Sequence, residues 1–183
     1  MKDTQLPRFQ VFLQTKPGGP FQDVGSVHAA DPELALLNAR DVFVRRPECH
    51  GLWVVPVEAI STHTTSVSAM DPLEVTETHP GNPETYHVFC KPKPAGALIQ
   101  LGTVEACSPS EAMREALAGF GSRGFVWWVF PASKVTASNP EDETSLFAPA
   151  RTKGFRMSTD FHTLTAMREL IRRPSGERDR PGF

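Results

Sequence analysis

An internal repeat constrains this sequence more than any other feature. The stretch FQVFLQTKPGGPFQDVGSVHAADPELAL, starting at Phe9, aligns without gaps with YHVFCKPKPAGALIQLGTVEACSPSEAM, starting at Tyr86, at an offset of 77 residues. Further along, LWVVP at 52–56 aligns with WWVFP at 127–131, so the offset falls to 75. Because loops tolerate length changes, we interpret the chain as two copies of one unit that differ in one loop.

Each copy begins with a pattern typical of a β-hairpin. Apolar and polar residues alternate over 8–15 and 86–91, which predicts a strand with one buried face. The segments KPGGP and KPKPAG then break the strand, and a second strand ends at Val27 or Val104. The two strands of each copy are therefore predicted to pair as a hairpin.

A helix and a third strand complete each copy. Asp31 and Ser108 are each followed by proline, which predicts a helix N-cap with proline in the first turn. The helices carry matching apolar stripes, which are Ala35, Leu36, Ala39 and Phe43 in copy one and Ala112, Met113, Ala116 and Phe120 in copy two. A third strand follows at 52–57 or 126–131. The predicted fold class is α+β: two tandem β-β-α-β units, each a small antiparallel sheet with one helix, plus extended arms.

The repeat also predicts the domain organisation. We place the first copy at 8–60 and the second at 85–136. Residues 61–84, rich in Thr, Ser, Pro and acidic residues, are predicted to be a linker or arm. Residues 137–171 are predicted to be a C-terminal arm, and 172–183 a disordered tail.

The predicted sheets are apolar on both faces, although one helix can cover only one of them. Phe12 and Phe89 point away from the face that carries Val11 and Val88. Such a second face is normally covered, and the cover could be the other copy, its arm or another chain. We therefore include Phe12 and Phe89 among the candidate partner contacts.

The first helix supplies most of the other candidate contacts. Leu34 and Leu37 flank its apolar stripe where copy two has Glu111 and Arg114, so the two copies are expected to have different neighbours. Its polar residues indicate either a solvated face with cations near the helix C-terminus or a partner surface; they are Asn38, Arg40, Asp41, Arg45 and Arg46. Three aromatic residues after copy two complete the candidates: Phe147, Phe155 and Phe161.

No motif in the chain predicts catalysis or a cofactor. GFGSRG at 119–124 ends a helix instead of opening one, so it predicts a C-cap and turn and no dinucleotide site. Glu84 and His87 have the E-x-x-H spacing of di-iron bundles, but His87 lies in a predicted strand. The six histidines have no regular ligand spacing. We expect no catalytic, cofactor-binding or metal-binding residues.

Composition excludes several partner classes. A formal charge of -2 over 183 residues gives no general attraction to nucleic acid or to an anionic membrane. Three cysteines without a C-x-x-C pair are typical of reduced thiols, and no apolar run reaches the length of a membrane span. We expect a cytoplasmic protein that binds neither nucleic acid nor membrane.

Several motifs together resemble a known family. VGSVHAAD, NARD, the Arg45-Arg46 pair and LWVVP in copy one, with LFAPARTKGFR at 146–156, resemble the phenylacetic acid degradation protein B family (PaaB-like). The matching parts cover about residues 8–60 and 86–165. The chain differs from the single-copy pattern of that family by its duplication, so a fused pair would replace a homodimer.

The resemblance implies a non-catalytic component of a ring-1,2-phenylacetyl-CoA epoxidase complex. Proteins of that family bridge a ferritin-like di-iron catalytic subunit and its structural relative, and the flavin and iron–sulfur reductase is a further candidate partner. Two alternatives stay open from the residues themselves. One is a regulatory module that binds a small molecule between paired β-β-α-β units; the other is an enzyme that uses Cys49, His50 or His28.

Overall fold

A computed structural model describes residues 6–44, 49–65, 82–121, 124–152 and 167–168. Both copies lie in one compact unit, which ends at Thr152. The predicted α+β class is confirmed, with tandem β-β-α-β units. The fold contains eight described strands in a single antiparallel sheet.

The first copy has the predicted hairpin, helix and third strand. Strands β1 (Arg8–Gln14) and β2 (Phe21–His28) pair as a hairpin, and β3 (Gly51–Pro56) pairs with β1. Helix α1 (Pro32–Phe43) begins at the predicted cap, where the Asp31 carboxylate accepts a hydrogen bond from the Leu34 backbone N–H at 2.7 Å. A short 3-10 turn leads to β4 (Ser61–Thr64).

The second copy repeats this order. It consists of β5 (Glu84–Lys91), β6 (Ile99–Ala106), α2 (Pro109–Phe120) and β7 (Val126–Pro131), followed by β8 (Thr136–Ala137). The Ser108 hydroxyl caps α2, as predicted. Gly121 is the C-cap of α2 with a φ of 86°, which confirms that GFGSRG ends a helix.

The strand order, β4-β7-β5-β6-β2-β1-β3-β8, shows how the copies combine. They meet where β2 pairs with β6, and each copy sends its following strand to the other: β4 pairs with β7, and β8 with β3. In a flat sheet β1 and β5 would lie about 14 Å apart, three strand spacings. The rings of Phe12 in β1 and Phe89 in β5 are only 4.5 Å apart, so the sheet bends round on itself.

This bend explains the two apolar faces. The outer face of copy one packs under α1, and that of copy two under α2. The inner faces of both copies pack against each other in a shared core built from Phe12, Phe21, Val55, Phe89, Leu98 and Phe130. The cover of the second face is therefore the other copy. Phe12 and Phe89 are both 0% exposed, so we withdraw them as candidate partner contacts.

The C-terminal arm contains a helix that the sequence pattern did not predict. Helix α3 (Glu143–Thr152) follows a 3-10 turn capped by Asn139. Phe147 and Ala150 of α3 are buried in the core of copy one, so the candidate partner residue Phe147 contacts its own chain. Phe120 differs from the prediction in the opposite sense. It belongs to the predicted apolar stripe of α2, yet it is 40% exposed.

Candidate partner interface

Helix α1 turns an apolar outer face to solvent. Its exposed large residues are Leu34, Leu37 and Val42, which are 40%, 43% and 47% exposed. The opposite face of the helix is fixed on the sheet by Ala35 and Ala39, both fully buried. The helix is therefore oriented by its small residues, and the two leucines that we predicted as contacts lie on the accessible side.

The equivalent face of α2 is charged, and its charged side chains form ion pairs with one another. Glu111 and Arg114, which replace Leu34 and Leu37, lie 3.7 Å apart as an ion pair, and Arg114 is also 3.9 Å from Glu115. The Glu111 carboxylate further accepts the Cys107 N–H at 2.8 Å. Copy two thus has a hydrophilic helix surface where copy one exposes leucine.

The polar candidates on α1 have local partners. Arg40 forms an ion pair with its neighbour Asp41 at 3.0 Å and is only partly exposed. Asn38 donates a hydrogen bond to the backbone carbonyl of His28 at 3.2 Å, joining the helix to the end of β2. Asn38 therefore has a positioning contact inside the chain. Arg40 and Asp41 lie next to the leucine face and present a matched pair of charges.

The remaining candidates, Arg45, Arg46, Phe155 and Phe161, lie outside the described residues. Val42 is an exposed residue of the α1 surface that the apolar stripe alone did not identify. Its position could have been found from the helical period, since it follows Asn38 by four residues. We define the α1 surface as Leu34, Leu37, Arg40, Asp41 and Val42.

The side chains that could serve as nucleophile or base, Cys49, His50 and His28, each have a partner within the chain. Burial raises the pKa of the Cys49 thiol to about 11, and the nearby charge of Glu143 adds to this shift. The thiol contacts the Gly51 carbonyl at 3.6 Å and stays protonated near neutral pH, which makes it a poor nucleophile. His50 Nδ1 lies 3.0 Å from the Glu143 carboxylate of α3, and His28 Nδ1 lies 2.7 Å from the Leu6 carbonyl.

Neither a metal cluster nor a membrane-spanning helix is found in the described part of the chain. Within the described ranges, no group of three or more His, Cys, Asp or Glu side chains could hold a metal ion. His87 lies in β5, as predicted, and burial lowers its pKa. None of the described helices is long and apolar enough to cross a membrane.

Comparison with known proteins identifies the family. The family model for phenylacetic acid degradation B matches residues 5–75 and 83–168, so each copy is matched separately. The chain belongs to this family. It is 43% identical over 60 residues to a subunit of the 1,2-phenylacetyl-CoA epoxidase of Escherichia coli (strain K12). That alignment covers 33% of this chain and 63% of the relative, so the chain spans less than two thirds of the relative's length. No solved structure matches the chain.

Proposed function

We propose that this protein is a non-catalytic assembly subunit of a multicomponent monooxygenase of the phenylacetyl-CoA epoxidase type, acting in phenylacetate degradation. Membership of the phenylacetic acid degradation B family and the similarity to an epoxidase subunit support the pathway. The proposed partners are the di-iron catalytic subunit and its structural relative, with the reductase as a further candidate.

The observation that carries the proposed assembly role is the difference between the two helix surfaces. The inner faces of the two copies pack against each other, so the outer surfaces are the ones available for contact with other subunits. On α1, that surface has two leucines about 40% exposed beside a charged pair. Apolar residues rimmed by polar ones are typical of protein interfaces. We therefore assign the α1 surface to one of the epoxidase subunits.

The second copy is proposed to make a different contact. Its helix surface is built from Glu111, Arg114 and Glu115, which would suit a polar interface or solvent. A bridging protein with two unlike halves could hold two different subunits without forming a homodimer. In this proposal the duplication replaces two identical surfaces with two distinct ones.

Co-purification with the epoxidase subunits tests the proposal, using copy two as the template for the variant. Leu34→Glu combined with Leu37→Arg gives α1 the residues that α2 already carries at the equivalent positions. We expect this double variant to fold with unchanged helical content but to lose at least tenfold in affinity for the subunit that contacts α1, since each buried leucine contributes about 1.5–3 kcal/mol. The control is Glu115→Gln on α2, which should leave that affinity unchanged.

Two results would contradict the proposal. One is a wild-type chain that stays monomeric in the presence of the di-iron subunit and its relative. The other is epoxidase turnover by the isolated chain, which would show that this protein is itself an enzyme. Equal binding by the double variant and the wild type would reject the α1 surface as the contact while leaving assembly through another surface in place.

A further inference from the structure

A cleft lies at the junction between the two copies, away from the α1 surface. It has a volume of about 500 Å³, in the range of small-molecule sites. Its walls come from Asp23 of β2, Lys91 at the end of β5, the turn at 95–97, and the apolar side chains Leu98, Val126 and Trp128. Both copies contribute to it, because β2 meets β6 here and the Asp23 N–H donates to the Leu98 carbonyl at 3.0 Å.

Copy one shows what fills the equivalent position. Phe21 stacks on Trp53 with ring centroids 3.7 Å apart and an angle of 17° between the planes. The edge of the Phe21 ring extends over Gly51, where an added Cβ would lie 3.0 Å from the ring. Phe21 is only 8% exposed. Copy one therefore places a phenyl ring of its own on the tryptophan face.

Copy two keeps the tryptophan but lacks the ring. Trp128 corresponds to Trp53, whereas Leu98 replaces Phe21 and Val126 replaces Gly51. Leu98 is buried at the position of Phe21 but has no planar face to stack on the indole ring, and Val126 lines the cleft beside it. Trp128 is half-buried, meets Phe12 edge-on at 6.4 Å and borders the cleft. An indole ring that borders a cleft offers an apolar surface on which an external aromatic ring could stack.

The charges at the cleft also differ from those of copy one. Lys91 replaces Gln14, and its ammonium group forms no hydrogen bond or ion pair within the described part of the chain. Asp23 is held by its own chain, since the side-chain amide of Gln10 and the Gly25 N–H both donate to its carboxylate. Burial raises the pKa of Asp23, while these donors and the charge of Lys91 oppose that shift.

We propose that this cleft is a binding site for a small aromatic monoanion, whose ring stacks on Trp128 and whose carboxylate binds Lys91. The ring would stack on the part of Trp128 that borders the cleft, beside Leu98, because Leu98 itself is buried at the position of Phe21. The single positive charge of Lys91 can pair with one carboxylate, whereas a second anionic group would have only Asp23 near it and would be repelled. Ligand binding at this cleft would be a function in addition to the proposed assembly role, and it does not depend on that role.

The test is a titration of the isolated full-length chain with three matched probes: benzoate, its neutral amide benzamide, and the non-aromatic cyclohexanecarboxylate. Binding is followed by the indole N–H resonance of Trp128, assigned with a Trp128→Phe variant. We expect saturable shifts with benzoate, and about tenfold weaker binding of each of the other two probes, because each lacks one of the two interactions. No saturable shift with benzoate would overturn the proposal, as would equal affinity for all three probes.

Two variants that introduce the residues of copy one make the test specific. Leu98→Phe with Val126→Gly restores the ring and the glycine of copy one, and should abolish benzoate binding because a phenyl ring of the chain itself then covers Trp128. Lys91→Gln, a change at a partly exposed position that needs no repacking, should reduce benzoate affinity about tenfold while leaving benzamide unaffected. Glu115→Gln, outside the cleft, is the control. Unchanged benzoate affinity in Lys91→Gln would overturn the proposal even if the double variant failed to fold.

Discussion

The two copies of this chain are alike inside and different outside. Both place an N-capped helix on the sheet through buried alanines, and both contribute phenylalanines to one shared core. Outside, α1 exposes leucine where α2 pairs charges. One inner position also differs at the junction between the copies, where Phe21 stacks on Trp53 in copy one and Leu98 lies beside a cleft in copy two. The comparison indicates that packing between the copies restrains the inner residues, whereas each outer surface is free to acquire a contact of its own.

The largest expected effect concerns the part that the copies share. Phe12→Ala removes a fully buried ring that lies 4.5 Å from Phe89 and 5.2 Å from Phe130. The expected loss is about 3–5 kcal/mol in the free energy of unfolding. Urea unfolding followed by circular dichroism and tryptophan fluorescence should show one transition for both copies.

The matched control for Phe12 is Leu101→Ala, at a side chain that is 45% exposed. It should change the free energy of unfolding by less than about 0.5 kcal/mol. If Phe12→Ala instead gave two separated transitions, with copy two keeping its wild-type stability, the copies would not share a core. The comparison between a common interior and distinct exteriors would then fail.

A second substitution should affect copy one more than copy two. Phe147→Ala removes the residue by which α3 enters the core of copy one, and should cost about 3 kcal/mol. Hydrogen exchange should increase in α1 and β3 before it increases in α2. Thr144→Ala, at an exposed position of α3, is the control. Equal loss of protection in both helices would show that α3 stabilises the unit as a whole.

Much of the fold could be predicted because it depends on local patterns. The strand alternation, the caps at Asp31 and Ser108 and the glycine at 121 each depend on neighbours in sequence, and the repeat presents every element twice. The pairing of β2 with β6 and the exchange of β4 and β8 depend on how the copies bend together, which no local period encodes.

The candidate site was predictable only in part for the same reason. Leu34 and Leu37 were identified because their apolar character has no counterpart in copy two, and both are exposed. Phe12, Phe89 and Phe147 have the same apolar character but are buried within the chain. A surplus apolar residue indicates that something covers it, and only the tertiary structure shows whether that cover is internal.

A smaller effect should separate two glycines that occupy equivalent positions. A Cβ at either Gly25 or Gly102 would meet a phenylalanine ring at 3.0 Å, from Phe43 and Phe120 respectively. Only Gly25 has a positive φ, of 128°, where an L-residue is strained by about 1–3 kcal/mol. Gly25→Ala should therefore reduce the free energy of unfolding by about 1–3 kcal/mol more than Gly102→Ala, measured by urea denaturation. Equal losses would attribute the cost to ring crowding alone.

The smallest expected effect compares the two helix caps. Asp31→Ala and Ser108→Ala should each cost about 1 kcal/mol, because each removes an acceptor for a backbone N–H in the first turn. The Asp31 contact is shorter, at 2.7 Å against 3.2 Å, and its charge also interacts favourably with the helix N-terminus. Copy two keeps the Glu111 contact to the Cys107 N–H when Ser108 is removed. Asp31→Ala should therefore cost a few tenths of a kcal/mol more than Ser108→Ala in thermal unfolding at low salt, and this difference in the free energy of unfolding should narrow at high salt.

The control is Asp31→Asn, which keeps the hydrogen-bond acceptor but removes the charge. It should lose only the salt-dependent part of the stabilisation that Asp31 provides. A gap that did not change with salt would assign the difference to hydrogen-bond geometry.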